Sequence, residues 1–307
     1  MKIINAASEL QAPGRKVCVA IGFFDGVHLG HQQIIRQTIA DARQYDALAL
    51  AVTFDRHPAS VVAPQRVPPL IYSLPQKMRV IAALGADAAL LIHFDKPFSE
   101  QTGDGFIRGL SRDLGRIQSL CVGNNFTFGH KRGGNVALLK SLGGELHFAV
   151  HDMAAVSLDD RVVSSTRIRE TIRAGQLDAA SQMLGRPYSI AGNIVRGDRL
   201  GHQLGFPTAN LDATGLALPP DGVYTVRAQV RGHAHRAVVN IGLRPTLRNP
   251  APQIRVEAHL LDFSGDLYGE EMEITFRDQL RGEIKFPSFD ALKEQIAKDI
   301  AEAKIRF

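Results

Sequence analysis

Residues 22–32 read GFFDGVHLGHQ, and this stretch decides how the first half of the chain folds. Before it stands the apolar run 16–21, KVCVAI; after it Leu29, Ile35, Ile39 and Ala42 recur at spacings near four, as on the buried side of a helix. The order is strand, glycine-rich turn, helix N-terminus, and that order suits a phosphate. Gly22, Gly26 and Gly30 let the backbone turn tightly and approach a ligand with no Cβ in the way. The free amides and positive dipole end of the following helix favour an anion. His28 and His31, three apart, share one face of the first helical turn and can donate to neighbouring phosphate oxygens together. Two other readings stay open on these residues alone. Zinc needs a third or fourth ligand, and the two cysteines, Cys18 and Cys121, both sit in apolar strand-like runs. A surface turn with two incidental histidines needs nothing more.

Working outward, short apolar runs at 16–21, 48–53, 88–92, 119–122 and 145–150 alternate with segments long enough for crossover helices. That alternation predicts an α/β layout with a parallel sheet covered on both faces. Neither a GxxxxGK[ST] loop nor a GxGxxG fingerprint is present, because Gly103, Gly105 and Gly109 are spaced wrongly. In an open parallel sheet the ligand lies beyond the strand C-termini, where the turns at His28 and Gly123 fall.

Past Leu184 the pattern changes. Tyr224, Val226, Ala228 and Val230 alternate with Thr225, Arg227 and Gln229; Val256, Ala258 and Leu260 alternate with Arg255, Glu257 and His259; Met272, Ile274 and Phe276 alternate with Glu273 and Thr275. Repeated period two predicts half-buried antiparallel strands, and closing them into a small barrel removes their edges. A helix ends the chain, with Ser288 as its cap, Phe289, Leu292, Ile296 and Ile300 as its apolar stripe, and Lys304 and Arg306 at its negative end. Glycine and proline at 185–187 mark the boundary. The expected domains are 1–184 and 185–307.

With 307 residues, 45% hydrophobic and 22% charged, the chain has the composition of a globular protein of about two domains. There is no basic-then-apolar leader at 1–10 and no run of about 18 apolar residues, so neither a signal peptide nor a membrane span is expected. Two buried-looking cysteines suit a reducing cytoplasm. The net charge of +5 suits anionic ligands, nucleotides and nucleic acids alike. No feature specifies an oligomeric state.

The HxGH signature His28-Leu-Gly-His31, in its extended form from Gly22, resembles the first motif of the bacterial FAD synthetases, members of the nucleotidyltransferase superfamily. Three further blocks follow in the family's order: VGNNFTFG at 122–129, VSSTRIR at 163–169 and GFPTANL at 205–211. NIGLRPT at 240–246 and VEAHLLDF at 256–263 extend the resemblance to the C-terminal end. The chain thus resembles the bifunctional riboflavin kinase and FAD synthetase family over nearly its whole length. The resemblance implies an N-terminal nucleotidyltransferase-type sheet, a C-terminal riboflavin kinase barrel, and synthesis of FMN and then FAD from riboflavin and ATP with Mg²⁺. In the first half it implies that His28 and His31 donate to the triphosphate. Gly22, Phe24, Asp25 and Gly30 line the nucleotide site, Asn125 touches a phosphate, and Ser165, Thr166 and Arg169 close over the leaving pyrophosphate. In the second half it implies Thr208 and Asn210 on Mg²⁺ and ATP phosphate, with Gly201, Gly205 and Pro207 beside the nucleotide. Glu257 would be the base, and Arg281 and Glu283 would lie on the flavin side.

Simpler roles exist for several of these residues. Ser164, Ser165 and Thr166 suit a helix N-cap, Asn125 a turn, Glu257 a solvated strand face, and Arg281 with Glu283 a surface ion pair. Phe23, His130 and His202 depart from the family's commoner Asn, Lys and Arg, which bears on nucleotide affinity, above all at His202, since neutral imidazole lacks a fixed charge. Of other function classes, an RNA-binding protein would want an anticodon-binding appendage, a lysine-rich run or RNP-type aromatics, none of which appears. A flavin-binding module without turnover has no use for Asn210 and Glu257 beside Thr208.

Overall fold

The computed structural model describes residues 1–10, 14–197, 201, 204–246 and 249–307, with backbone alone over 243–246 and 249–253. His202 lies outside the described residues. The chain divides into two compact units, one of residues 1–70 and 74–167, the other of 71–73 and 168–307.

In the first unit the strands are β1 (Lys2–Ile4), β2 (Lys16–Ile21), β3 (Leu48–Phe54), β4 (Ala88–Ile92), β5 (Arg116–Gly123) and β6 (Ala149–Met153). They form one sheet in the order β1-β4-β3-β2-β5-β6, and every pairing is parallel. Between them run α1 (Leu29–Tyr45), α2 (Ala59–Val62), α3 (Leu74–Leu84), α4 (Lys96–Ser99), α5 (Gly103–Leu114) and α6 (Val136–Leu146). One apolar cluster joins Val17, Val19, Leu50 and Leu120 to Phe106, Ile107 and Leu139; a second joins Cys18, Ala20 and Cys121 to Ile35, Ile39, Met78 and Ile81. Successive side chains on a strand point to opposite faces, so β2 feeds both clusters and the sheet is buried on both sides. A two-stranded hairpin, β7 (Ser157–Leu158) with β8 (Arg161–Val162), follows.

Two expectations need correction here. The run 145–150 is not a strand throughout: α6 continues to Leu146, His147 ends it in the left-handed conformation at φ 62°, and pairing begins only at Ala149. The tightness of the 22–30 turn resides in Phe24 at φ 54°, Gly26 at φ 74° and Val27 at φ 40°, whereas Gly22 and Gly30 have no positive φ and provide space instead.

The second unit holds α7 from Ile168 onward (the helix spans Ser165–Arg173) and α8 (Leu177–Leu184), which ends on Gly185 at φ 69°. Strands β9 (Ser189–Val195), β10 (Ala209–Leu211), β11 (Gly222–Val230), β12 (His233–Thr246), β13 (Asn249–Leu260) and β14 (Glu271–Gly282) close into a barrel in the order β10-β13-β12-β11-β14-β9. Val226, Ala228, Val239, Ile241, Val256, Ala258, Met272 and Ile274 are buried, as period two requires. Thr225 breaks the alternation. It is buried because β14 bulges there, and its hydroxyl accepts from the Asp278 amide at 3.1 Å.

The terminal helix α9 (Phe289–Arg306) starts on Ser288, whose hydroxyl accepts from the Ala291 amide at 3.2 Å. Ile300 and Ala303 pack on Val223, Val238 and Leu261. Phe289 does not join that stripe; it is 66% exposed, at the first helical position. Ile71–Ser73 also belong to this unit: the Arg186 guanidinium donates to the Tyr72 hydroxyl at 3.1 Å and lies over its ring.

Candidate functional site

In the first unit, β2 delivers the chain into the 22–28 turn, and the Gly22 amide donates to the Val52 carbonyl at 3.1 Å. A Cβ on Gly22 would lie 2.7 Å from the Phe24 ring, so glycine makes room for a phenylalanine that is fully buried. Phe24 meets the ring of His31 edge-on at 5.3 Å, and His31 stacks on His28 at 3.6 Å between centroids. His28 is the N-cap residue of α1, His31 sits on its first turn, and Gly30 lies beneath the His28 ring. Non-glycine residues held in the left-handed region cost on the order of 1–3 kcal/mol each, so the strain at Phe24 and Val27 persists only because surrounding bonds fix it. The Gln32 side-chain amide donates to the Val27 carbonyl at 2.9 Å, and the Ser165 hydroxyl donates to the Asp25 carbonyl at 3.1 Å.

This last bond brings Ser165 of the 163–169 motif against the histidine turn. Ser164 caps α7, its hydroxyl accepting from the Arg167 amide at 3.2 Å, while Ser165 is used on Asp25. Thr166 is on the same first turn, and Arg169, one turn further, is buried beyond the division between the units. Phe24 and Asp25 are both buried, Phe24 completely. Asn125 is exposed in the turn after β5, whose Gly123 abuts Ile34 of α1.

A feature not read from the sequence lies along this sheet end. Phe54, Phe94, Phe98, Phe106, Phe128 and Phe126 form a continuous row, with successive ring centroids 5.3 to 6.4 Å apart. Phe126 and Phe128 share the 122–129 motif, but Phe54, Phe94, Phe98 and Phe106 are scattered along the sequence, and no motif joins them to that pair. Beside them Asp55 accepts from the Phe94 amide, from Arg56 and from His93; burial raises its pKa, but these bonds outweigh it and hold it at about 2.

In the second unit the register of the barrel assembles the site. Glu257 on β13 lies opposite Asn210 on β10 and opposite Asn240 on β12. Their neighbours Val256, Ala258, Val239 and Ile241 point inward, so Asn210, Glu257 and Asn240 form a polar row on the outer face. That row lines a cavity of about 360 Å³ with Thr208, Gly201, Phe206, Arg281, Glu283 and, from α9, Leu292, Ile296 and Ile300. A Cβ on Gly197 would lie 2.3 Å from the Asn210 side-chain nitrogen, and one on Gly201 2.5 Å from the Phe206 carbonyl and 3.0 Å from the Thr208 hydroxyl, so both glycines let the 206–210 segment approach closely. Gly205 turns the backbone at φ 88°. The His259 ring donates to the Pro207 carbonyl at 2.8 Å and steadies the 206–210 segment.

Arg281 is not paired with Glu283. Its guanidinium grips both carboxylate oxygens of Asp299 on α9 at 2.8 to 3.1 Å, and Gln295 supports Asp299 at 2.8 Å. Thr208 and Pro207 also border a second cavity of about 560 Å³, walled by Phe263, Ser264, Asp266 and Tyr268. Asn240 and this second wall were not among the site residues singled out from the sequence, though both border these cavities. The period-two pattern could have found Asn240, which is two residues from Val238 and faces the same way. Among the described residues there is no group of three or more His, Cys, Asp and Glu that could hold a metal ion.

The comparisons with known proteins match this division. The FAD synthetase family model matches residues 10–167 and the riboflavin kinase model residues 184–307. The chain belongs to the bifunctional riboflavin kinase/FMN adenylyltransferase family. A relative of that name from Haemophilus influenzae is 37% identical over 100% of this chain and 99% of its own length. One from Escherichia coli strain K12 is 35% identical over 99% of this chain and 97% of its own. A crystal structure described as a macrolide-efflux protein from Streptococcus pneumoniae is similar with TM-score 0.82 and 27% identity, over 98% of both chains. Among the described residues no helix is long and apolar enough to cross a membrane. Riboflavin kinase and FMN adenylyltransferase are therefore the two activities of this chain, with riboflavin, FMN and ATP as substrates.

Proposed function

We infer that residues 185–307 phosphorylate riboflavin at the Glu257 row and that residues 1–184 adenylylate FMN at the His28 turn, in the cytoplasm. The observation that carries this reading is the cross-strand row Asn210, Glu257, Asn240 beside a cavity large enough for a flavin's ring system. Riboflavin would lie in the cavity under α9 with its terminal hydroxyl toward Glu257, and ATP in the second cavity. Thr208 borders both, where the transferred phosphoryl would pass. The hydroxyl oxygen attacks the γ-phosphorus as Glu257 accepts its proton, the bond to the bridging oxygen breaks, and ADP leaves with the electron pair. The hydroxyl of Thr208 and the amide oxygen of Asn210 are hard donors of the kind Mg²⁺ prefers. When bound, Mg²⁺ would neutralise charge on the ATP phosphates. Arg281, locked to Asp299, would present a fixed wall to the flavin.

In the first unit a phosphate oxygen of FMN attacks the α-phosphorus of ATP in line, and pyrophosphate leaves. No covalent residue is needed, only positioning and charge stabilisation. His28 and His31, with the amides that open α1, would serve the spreading charge, and Asn125 and Thr166 the flanking phosphates. The aromatic row suits the flat isoalloxazine of FMN, which stacks on ring faces.

A chromatographic time course with riboflavin, ATP and Mg²⁺ tests the scheme. FMN should rise first and FAD follow at its expense, and chelating Mg²⁺ should stop FMN formation. FAD appearing with no FMN intermediate would overturn the order, and FMN formation unaffected by chelation would overturn the Mg²⁺ assignment.

A further inference from the structure

Lys77 on α3 is 4% exposed, and its position is unusual for an ammonium. Its Nζ donates to the Phe23 carbonyl at 3.2 Å, the Thr53 hydroxyl at 3.2 Å and the Phe54 carbonyl at 3.0 Å, and stands 4.6 Å from the centre of the Phe23 ring. The Thr53 hydroxyl spends its own hydrogen on the same Phe23 carbonyl at 3.0 Å, so toward Lys77 it only accepts. Three acceptors therefore face one nitrogen. An ammonium has three N–H groups to satisfy them; a neutral amine has two. The charged groups facing it are Asp25, from the turn before α1, and Asp55, just after β3, itself bonded to Arg56 and His93. His57 meets the Phe23 ring edge-on at 4.8 Å.

We propose that Lys77, as the ammonium, is a positioning residue for adenylyl transfer: it pins the Phe23 carbonyl, which sets the left-handed Phe24 and through it the stacked His31 and His28. Phe24 is the next residue, its ring touches His31, and His31 touches His28, so the path is continuous. This rests on assigning adenylyl transfer to the two histidines.

Burial draws the Lys77 pKa down from 10.5 to about 8, with Asp25 and Asp55 opposing. The proton thus leaves in a range where two outcomes separate. A base with a depressed pKa in the folded state destabilises that state most below about 8, and the penalty fades as pH rises toward 10.5. Stability of the first unit should therefore hold or increase across that window, while a rate that needs three donated bonds falls. A merely structural lysine would move rate and stability together.

The test uses the full-length chain, with FMN adenylylation and riboflavin phosphorylation measured on one preparation from neutral pH to about 10. The adenylylation kcat should fall with a midpoint near about 8 while the kinase rate, with the same ATP and Mg²⁺, shows no such limb and the melting temperature does not drop. Lys77→Met keeps the stem but no donor, and should lower adenylylation kcat on the order of 10² with a much smaller change in KM for FMN. Lys77→Arg carries a charge that does not titrate in this range, and should restore most of the rate and abolish the alkaline limb. An adenylylation kcat that stays level through the window, or a Met variant at near wild-type kcat, would overturn the proposal. If the Met variant fails to fold, the wild-type profile decides alone. Failure of the underlying assignment would look different: His28→Ala and His31→Ala would keep the adenylylation rate whatever Lys77 does.

Discussion

Around His28 the decisive groups are held by main chain in uncommon conformations, with Phe24 at φ 54° and Val27 at φ 40°. Around Glu257 the described strand residues are ordinary extended chain, and Asn210, Glu257 and Asn240 come together because hydrogen-bonded register puts them opposite one another. A ladder delivers side chains one at a time, so a single polar group can change while the frame stays. A strained turn is a coupled object. Whatever disturbs Phe24 reaches His31, and the residues that matter include some that touch no substrate.

The sharpest way to break the contrast is Glu257→Gln. The substitution keeps size and ladder and removes a basic oxygen, so kcat for FMN formation should fall by about 10² to 10⁴ while adenylylation of supplied FMN persists. A Gln variant phosphorylating riboflavin at near wild-type kcat returns Glu257 to a solvated strand carboxylate. Next in size are His28→Ala and His31→Ala. Each removes a donor to developing charge, worth about 3 kcal/mol, so FAD formation should drop on the order of 10² with phosphorylation intact. Equal loss of both activities would make the histidines structural.

Gly22→Ala asks whether the turn is as coupled as it looks. The added methyl would lie 2.7 Å from the Phe24 ring, and overpacking of this kind costs typically about 1–3 kcal/mol. Adenylylation measured with saturating substrates should decline about tenfold; an unchanged rate would show that the ring shifts without moving His31. The smallest effect expected is on stability. Asp299→Ala leaves Arg281 without the carboxylate it grips, and with the guanidinium side chain 17% exposed the loss should be about 2 kcal/mol, a fall of about 6 °C in the melting of the second unit. Calorimetry showing no shift would make that pair an ornament of the barrel.

Much of this was legible in the sequence, for reasons that differ between the halves. Period two at 224–230, 256–260 and 272–276 reports a two-sided strand directly, and it placed Glu257 outward against Val256 and Ala258. The strand–turn–helix order at 16–45 was equally plain. β1, with three residues, is too short to carry a period, and the apolar run 145–150 hides the end of the helix at Leu146 because helix end and strand start are both apolar there. Contacts between distant residues left no local trace: Arg281 with Asp299, Lys77 with Phe23, and the phenylalanine row drawn from separate elements. Phe289 was assigned to the apolar stripe by spacing, yet spacing does not say where a helix first meets its support.

One small piece of chain bears on the order in which the protein is made. Tyr72 receives its bond from Arg186, 114 residues later, and Ile71–Ser73 count with the second unit although the first is only half synthesised when they emerge. Domains fold largely as they leave the ribosome, N-terminal first. The first unit must therefore complete its sheet around a segment, just before α3, whose bond from Arg186 can form only after that residue has been made. Nascent chains halted before Arg186 is made and well after it has left the ribosome should differ in protease sensitivity at Ile71–Ser73.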